Sequence, residues 1–421
     1  MKLLKTIQRL QKLHPKEIDL SLDRTKNLCK KLGNPQDQIN CISIVGTNGK
    51  YSTIQALYAI LKEAKYKCNI YTSPHIKKIN ERFVYNNKEL NDASLANLLS
   101  KIEEINDGDP ITFFEILTVA YFYHAKNYPE NINLIEAGLF HRFDATNILK
   151  KNIASIVTTI GLDHLDWLKK KNQSIEKIIF EKTSSLLNSK IIIAKQSSDK
   201  ITNQIENTIQ NNQSRKIVYN KDYSFSSNKS DFYYKDQFGD LKLPRPNLRG
   251  EFQLVNVATA IATVRQLDNY MVKNNDIKKG ITKINNIARF QEIKHGKLKS
   301  LVKNNKLFLD GSHNPLGAKV LNKYLKSLSC KKHIILGMMA NKNHNEYIKY
   351  FKNISSLTTV DIPNQPNALK GNELKKRIKN IPNIKSKKSI KEAISSISLT
   401  KNDIILITGS LYLAGEVLNL N

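Results

Sequence analysis

Two glycines and a lysine in VGTNGKYSTI, residues 45–54, stand between an apolar run and a helical one. Gly46 and Gly49 let the backbone curl so that successive amides can point at phosphate oxygens. A helix N-terminus and Lys50 would add positive charge at the same place. Thr47, Asn48 and Ser52 complete the candidate nucleotide contacts. The GxxGK spacing is shorter than the usual GxxxxGK. Tyr51 also occupies the position after the lysine where such loops carry a small residue. Taken alone, the stretch fits a plain strand-turn-helix corner as well as a phosphate site.

The elements that would position it are readable around it. CISIVG, CNIY, INLIEAGL, IASIVTTIGL and KIIIAK, all within the first two hundred residues, are short Ile/Val-rich runs separated by helical stretches. That alternation predicts a parallel sheet covered on both faces. LFLDGS, HIILGMM, LTTVDI and DIILITGS restart the pattern after residue 300. We therefore expect an α/β protein with a larger domain over 1–286 and a smaller Rossmann-like α/β domain over 287–421. The polar, aromatic stretch 210–250 predicts edge strands or a hairpin, and MKLLKTIQRLQKLH an amphipathic first helix.

A chain of 421 residues that is 40% hydrophobic can bury a large core. The formal charge of +30 would ordinarily point to a polyanion. Here the lysines are diffuse, mixed with asparagine and isoleucine, and no aromatics interleave with them as a stacking platform requires, so nucleic acid is not the expected partner. Four cysteines without CxxC spacing indicate neither disulfides nor zinc and suit a reducing cytoplasm. No apolar run is long enough to cross a bilayer.

Further motifs follow the loop in order: YTSPHIKKINERF at 71–83, TFFEILT at 112–118, IEAGLFHRFDATN at 135–147, IGLDHLDWL at 160–168 and FEKT at 180–183. LHPKEIDLSLDR lies upstream. LRGEFQLVNVATAIA, ARFQ, LDGSHNP and GSLYLAGE continue to the C-terminus. In order and spacing this set resembles the folylpolyglutamate synthase and dihydrofolate synthase family of the Mur ligase superfamily, over nearly the whole chain.

The resemblance implies a Mur-ligase-like ATPase domain followed by a C-terminal domain, and a default state of monomer. It implies an ATP- and Mg²⁺-dependent ligase that phosphorylates a carboxylate of dihydropteroate or a folate. The amino group of L-glutamate would then attack the acyl phosphate. Such chemistry needs positioning and charge neutralisation more than covalent catalysis. Carried over residue by residue, Lys50 would hold the β- and γ-phosphates, and Ser73, Glu136 and His164 would ligate magnesium. Lys182, matching the family's FEK lysine, would be carbamylated and so supply an anionic oxygen. Asn256 would contact the adenine end and Arg289 the phosphates. Asp310 and His313 would come from the second domain, whose closure would gate the reaction. Thr112, Asp144 and Ala145 match pterin-binding positions, although Asp144 is equally suited to fixing the turn before ATN.

The pattern is broken at three places. Tyr51 stands where relatives usually carry glycine. Phe140 and His141 replace two glycines of the family's GLGGRLDATN. In MMANKNH, residues 338–344, asparagines stand where relatives carry an acidic DKD. Two further readings therefore stay open: the same acyl-phosphate chemistry on a different carboxylic acid, and a basic ATP- or nucleic-acid-binding protein without ligase activity.

Overall fold

The computed structural model describes residues 2–16, 18–351, 353–379, 381 and 383–421. Glu17 of the N-terminal motif lies outside the described residues. The chain divides into two compact units. One comprises Met1–Gly161, Lys170–Asn247 and Leu254–Asn285, the other Leu162–Lys169, Leu248–Gln253 and Asn286–Asn421.

The first unit is built on eight strands: β1 (Asn40–Val45), β2 (Cys68–Tyr71), β3 (Phe83–Tyr85), β4 (Lys88–Glu89), β5 (Ile132–Glu136), β6 (Ala154–Val157), β7 (Lys190–Ile193) and β8 (Lys216–Val218). Their order in the sheet is β4-β3-β2-β5-β1-β6-β7-β8. Neighbours from β2 to β8 are parallel, and the β3–β4 edge is antiparallel. The strands expected from the five apolar runs are the interior ones. Side chains of β1, β2, β5 and β6 are buried on both faces almost without exception, as a parallel sheet with helices on each side requires.

Between strands, helices pack through small-residue contacts. Lys50–Glu63 starts directly after Gly49, whose φ of 94° belongs to the left-handed region. It buries Ile54, Ala56, Leu57, Ile60 and Leu61. The helix Asn274–Gly280 lies so close to it that a Cβ on Gly280 would sit 2.6 Å from Ile60 Cα. Phe113–Ala125 is opened by a capping box in which Thr112 and Glu115 bond reciprocally.

The 210–250 stretch forms β8 and a three-stranded antiparallel meander of β9 (Tyr223–Ser227), β10 (Asp231–Asp236) and β11 (Gly239–Pro244). In β10, Phe232 and Tyr234 are buried while Tyr233 and Lys235 face out, the two-residue alternation of a half-covered sheet.

The second unit carries β12 (Gln291–Ile293), β13 (Lys306–Leu309), β14 (Lys332–Leu336), β15 (Ser356–Val360), β16 (Lys385–Lys387) and β17 (Ile404–Thr408), ordered β12-β13-β17-β14-β15-β16. All pairs are parallel except β12–β13. Its core gathers Phe290, Phe308, Leu321, Ile334, Leu336, Tyr347 and Leu406.

The Gly280 contact yields a stability test. In Gly280→Ala, backbone atoms at 2.6–3.0 Å must shift, and overpacking of this kind costs about 1–3 kcal/mol. Urea unfolding should show that loss with an unchanged m-value.

Candidate active site

In a parallel sheet the residues following each strand emerge at one edge, where open α/β folds bind ligands. Here that edge holds the phosphate-loop residues after β1, Ser73 after β2, Glu136 at the end of β5, and Thr158–Gly161 after β6. Strand register sets their neighbourhood: Ile44 pairs with Glu136, Tyr71 with Ile135, and Val45 with Val157.

The loop is held mainly by the backbone after β6. Thr47 and Asn48 amides both donate to Thr159 O at 3.1 Å. Thr47 Oγ1 donates to Gly161 O at 3.0 Å and accepts from Gly161 N at 3.1 Å. Gly46, at φ 142°, has no room for a side chain, because a Cβ would lie 2.0 Å from Thr158 Oγ1. A Cβ on Gly49 would meet Asn256 Oδ1 at 2.4 Å. Asn256, expected at the adenine end, thus has its amide against the loop itself. The Thr47 and Asn48 amides turn to Thr159, and the positive end of the helix Lys50–Glu63 lies next to the loop. Tyr51 is half-buried in that first turn and the helix runs through it unbroken. Ser52, beside it, is buried.

Lys50 Nζ donates to Gly46 O at 3.3 Å and lies 3.7 Å from Glu136 Oε1. Glu136 Oε2 accepts from Ser73 N at 3.1 Å. The carboxylate is 4% exposed, and the ammonium and the amide beside it offset the cost of burying it. Among the described residues no group of three or more His, Cys, Asp or Glu could hold a metal ion. That arrangement still suits magnesium, which takes one or two carboxylates and completes its shell with phosphate oxygens and water. In the first unit, Glu136 supplies a buried carboxylate at this end of the sheet, bonded by the Ser73 amide. His164 belongs to the second unit.

Lys182 sits near the end of the helix Ile175–Thr183 and is 2% exposed. Its Nζ donates to Leu139 O at 2.9 Å and lies 5.5 Å from the Phe140 ring centre. The neighbouring Glu181 anchors the loop after β5. Its backbone carbonyl accepts from His141 N and Arg142 N at 3.0 Å, and its carboxylate from Arg142 Nε and Nη2 at 2.9 and 2.8 Å.

Asp144 is fully committed. Oδ2 accepts from Gly138 N and Leu139 N at 2.9 and 3.2 Å, and Oδ1 from Thr146 N and Oγ1 at 3.0 and 2.6 Å. Those four bonds use the four acceptor positions of a carboxylate. The geometry favours the turn-fixing reading of Asp144, with buried Ala145 inside the turn. Burial raises the Asp144 pKa, opposed by these bonds. Thr112, 2% exposed, accepts from Glu115 N at 3.4 Å, and its own N–H donates to Glu115 Oε2 at 2.8 Å.

In the second unit the organising residue is Asp163, which the sequence reading passed over although it precedes His164 in LDH. It accepts from Lys342 Nζ at 3.1 Å and Asn314 Nδ2 at 2.9 Å, with His313 Nε2 at 3.8 Å and His164 Nε2 at 3.9 Å. Burial opposes ionisation, but His164, His313 and Lys342 outweigh it and hold the carboxyl well below its ordinary range. The lysine between the two unexpected asparagines therefore pairs inside this unit. His313 contacts Gly311 O at 3.1 Å through Nδ1. Burial, then Lys342, push it down to about 4. Asp310 accepts from Phe290 N and Ser312 N, both at 2.8 Å, closing the turn that carries Arg289. Asn314 caps the helix Pro315–Lys326.

The chain is similar to known proteins in sequence and in fold. The Mur ligase glutamate ligase domain matches residues 289–411. The dihydrofolate synthase/folylpolyglutamate synthase of Haemophilus influenzae is 28% identical over 426 residues, covering 97% of this chain and 94% of that protein. The Escherichia coli protein of the same name is 28% identical, with 82% of this chain and 78% of that one covered. Among solved structures, E. coli FolC in complex with DHPP and ADP superposes with a TM-score of 0.87 at 26% identity, covering 99% of this chain and 97% of that one. A Yersinia pestis bifunctional enzyme complexed with AMPPNP and Mn ion, 23% identical, shares the fold with a TM-score of 0.86. The chain is thus similar along almost its entire length to dihydrofolate synthase/folylpolyglutamate synthases, and its residues 289–411 match the Mur ligase glutamate ligase domain.

Proposed function

We propose that the protein is an ATP-dependent ligase joining L-glutamate to dihydropteroate, to folates, or to both. The observation that carries this reading is the Lys50–Glu136–Ser73 cluster at the mouth of a glycine loop, the pairing of phosphate-holding cation and metal-holding carboxylate that an acyl phosphate requires. Related proteins crystallised with ADP, and one with Mn, AMPPNP and L-glutamate, support the nucleotide and metal. By resemblance the protein would act as a monomer, and its free cysteines suit a reducing cytoplasm.

Lys50 attracts the transferring phosphoryl oxygens, and the amides opening the helix Lys50–Glu63 bind the neighbouring phosphates. When bound to Glu136 and Ser73, Mg²⁺ would neutralise charge between the phosphates. His164 is a third donor by resemblance alone. Lys182 would be the carbamylated lysine. Arg289, Asp310 and His313 retain phosphate and ATP contacts by resemblance alone.

Phosphate release with ATP and Mg²⁺, with dihydropteroate or tetrahydrofolate as acid and with or without L-glutamate, tests the function, with products identified by mass. Turnover that needs glutamate on either acid is expected. In Lys50→Ala, kcat should fall at least about 100-fold, as for loss of one transition-state contact, with the melting temperature also lowered because buried Glu136 loses its neighbouring cation. Full activity in that variant would exclude the site.

Asp144→Asn distinguishes the turn from a substrate contact. The amide presents an N–H to backbone donors, so stability should fall by about 1–3 kcal/mol. Activity should fall mainly through kcat. A KM increase with unchanged stability would instead mean that Asp144 binds the acid directly.

Acid stability follows from the buried histidines. Burial pushes His141 and His313 down to about 4, below the unfolded value near 6.5. Their contribution to stability is thus full above pH 6.5. It declines as the unfolded chain takes up protons between pH 6.5 and 4, by on the order of 3 kcal/mol for each ring. Urea unfolding at a series of pH values should show this decline, with a smaller slope in His141→Asn.

A further inference from the structure

The two residues that depart from the family's glycine pair converge on Lys182. Leu139 O accepts from Nζ at 2.9 Å, and the Phe140 ring lies 5.5 Å away. His141 is tied to the same helix turn by its N–H to Glu181 O at 3.0 Å. Its imidazole is 4% exposed. Nδ1 is fully buried and finds no hydrogen-bond partner among the described residues. An orphaned ring nitrogen in such a place is costly, and native structures generally supply the missing partner. Burial is the main cause keeping the imidazole neutral. A neutral ring carries one N–H, which on Nδ1 is a donor awaiting an acceptor.

We propose that His141 is a positioning residue whose Nδ1–H donates to the carboxyl group that CO₂ adds to Lys182. This rests on the reading of Lys182 as a carbamate. In that modification the Nζ lone pair bonds to the carbon of CO₂, one C–O π pair moves onto oxygen, and the ammonium releases two protons to solvent. The nitrogen keeps one hydrogen, so its bond to Leu139 O persists. The new carboxylate gives His141 the acceptor it lacks, and a charge-assisted bond of this kind is strong. Glycine in the family's pattern offers no such donor, so the substitution transfers part of the task of holding the modified lysine to a side chain.

The test is ¹³C NMR of the intact protein equilibrated with ¹³C-bicarbonate and CO₂ over a range of CO₂ concentrations. The wild type should show one saturable carbamate resonance that is absent in Lys182→Arg. His141→Asn places an amide N–H near the position of Nδ1 and should bind CO₂ within about two-fold of wild type. His141→Gln displaces that donor, and His141→Ala removes it. In both, apparent CO₂ affinity should drop about ten-fold, the size expected for one bond to a charged group. Melting curves confirm that each variant is folded, and the Asn/Gln pair decides the matter if Ala does not fold. A carbamate with equal CO₂ affinity in wild type, Gln and Ala would overturn the role of His141 alone. No carbamate in wild type would overturn it together with the underlying reading of Lys182, while glutamate-dependent turnover would still stand on its own assay.

Discussion

Glu136 is the constraint around which the first unit is arranged. A carboxylate 4% exposed at the end of a buried strand is tolerable only with charge beside it, and Lys50 at 3.7 Å and the Ser73 amide at 3.1 Å provide that. Both partners come from neighbouring strand ends, so the pairing depends on the parallel register of β2, β5 and β1. At the opposite ends of β2 and β5 that register is pinned by buried asparagines. Asn69 Nδ2 donates to Asn133 Oδ1 at 3.1 Å, Asn131 Nδ2 to Asn69 Oδ1 at 2.9 Å, and Tyr121 OH to Asn133 Oδ1 at 2.9 Å. A one-residue slip would break this network and turn Glu136 to the other face.

The same logic explains why the loop tolerates Tyr51. Gly46 and Gly49 are demanded by contacts with Thr158 and Asn256, which leave no room for a Cβ. The position after Lys50 is ordinary helix, where any side chain with space to turn outward fits. The shortened GxxGK loop is braced by Thr159 and Gly161 instead of by its own length.

Much of this was legible in the sequence. Apolar runs such as CNIY marked interior strands because a doubly covered sheet leaves no polar positions to interrupt them. The short strands β4 (KE) and β16 (KSK) had no such signature, being edge strands whose side chains reach solvent. At the site, Lys50 was suggested by residue type and spacing, whereas Ser73 and Glu136 were suggested only by the family resemblance. Asp163 was missed because its importance is tertiary: Lys342 and Asn314 reach it from far along the chain. Asp144 had two readings, and only the hydrogen-bond count of its oxygens separates them.

That count also bears on how the protein selects its acid. With Asp144 spent on Gly138, Leu139 and Thr146, and with Arg142 locked onto Glu181, the segment from Gly138 to Thr146 is fixed at both ends. Gly138 has no slack either, since a Cβ there would touch Asp144 and the Phe114 ring at 3.0 Å. Into this rigid frame the chain places Phe140 and His141, both buried, where the family pattern has only hydrogens. Their bulk cannot be relieved by movement of the turn. It must instead be accommodated by what packs against it, Lys182 beside the Phe140 ring included. Divergence at these two positions therefore acts first on the presentation of Lys182.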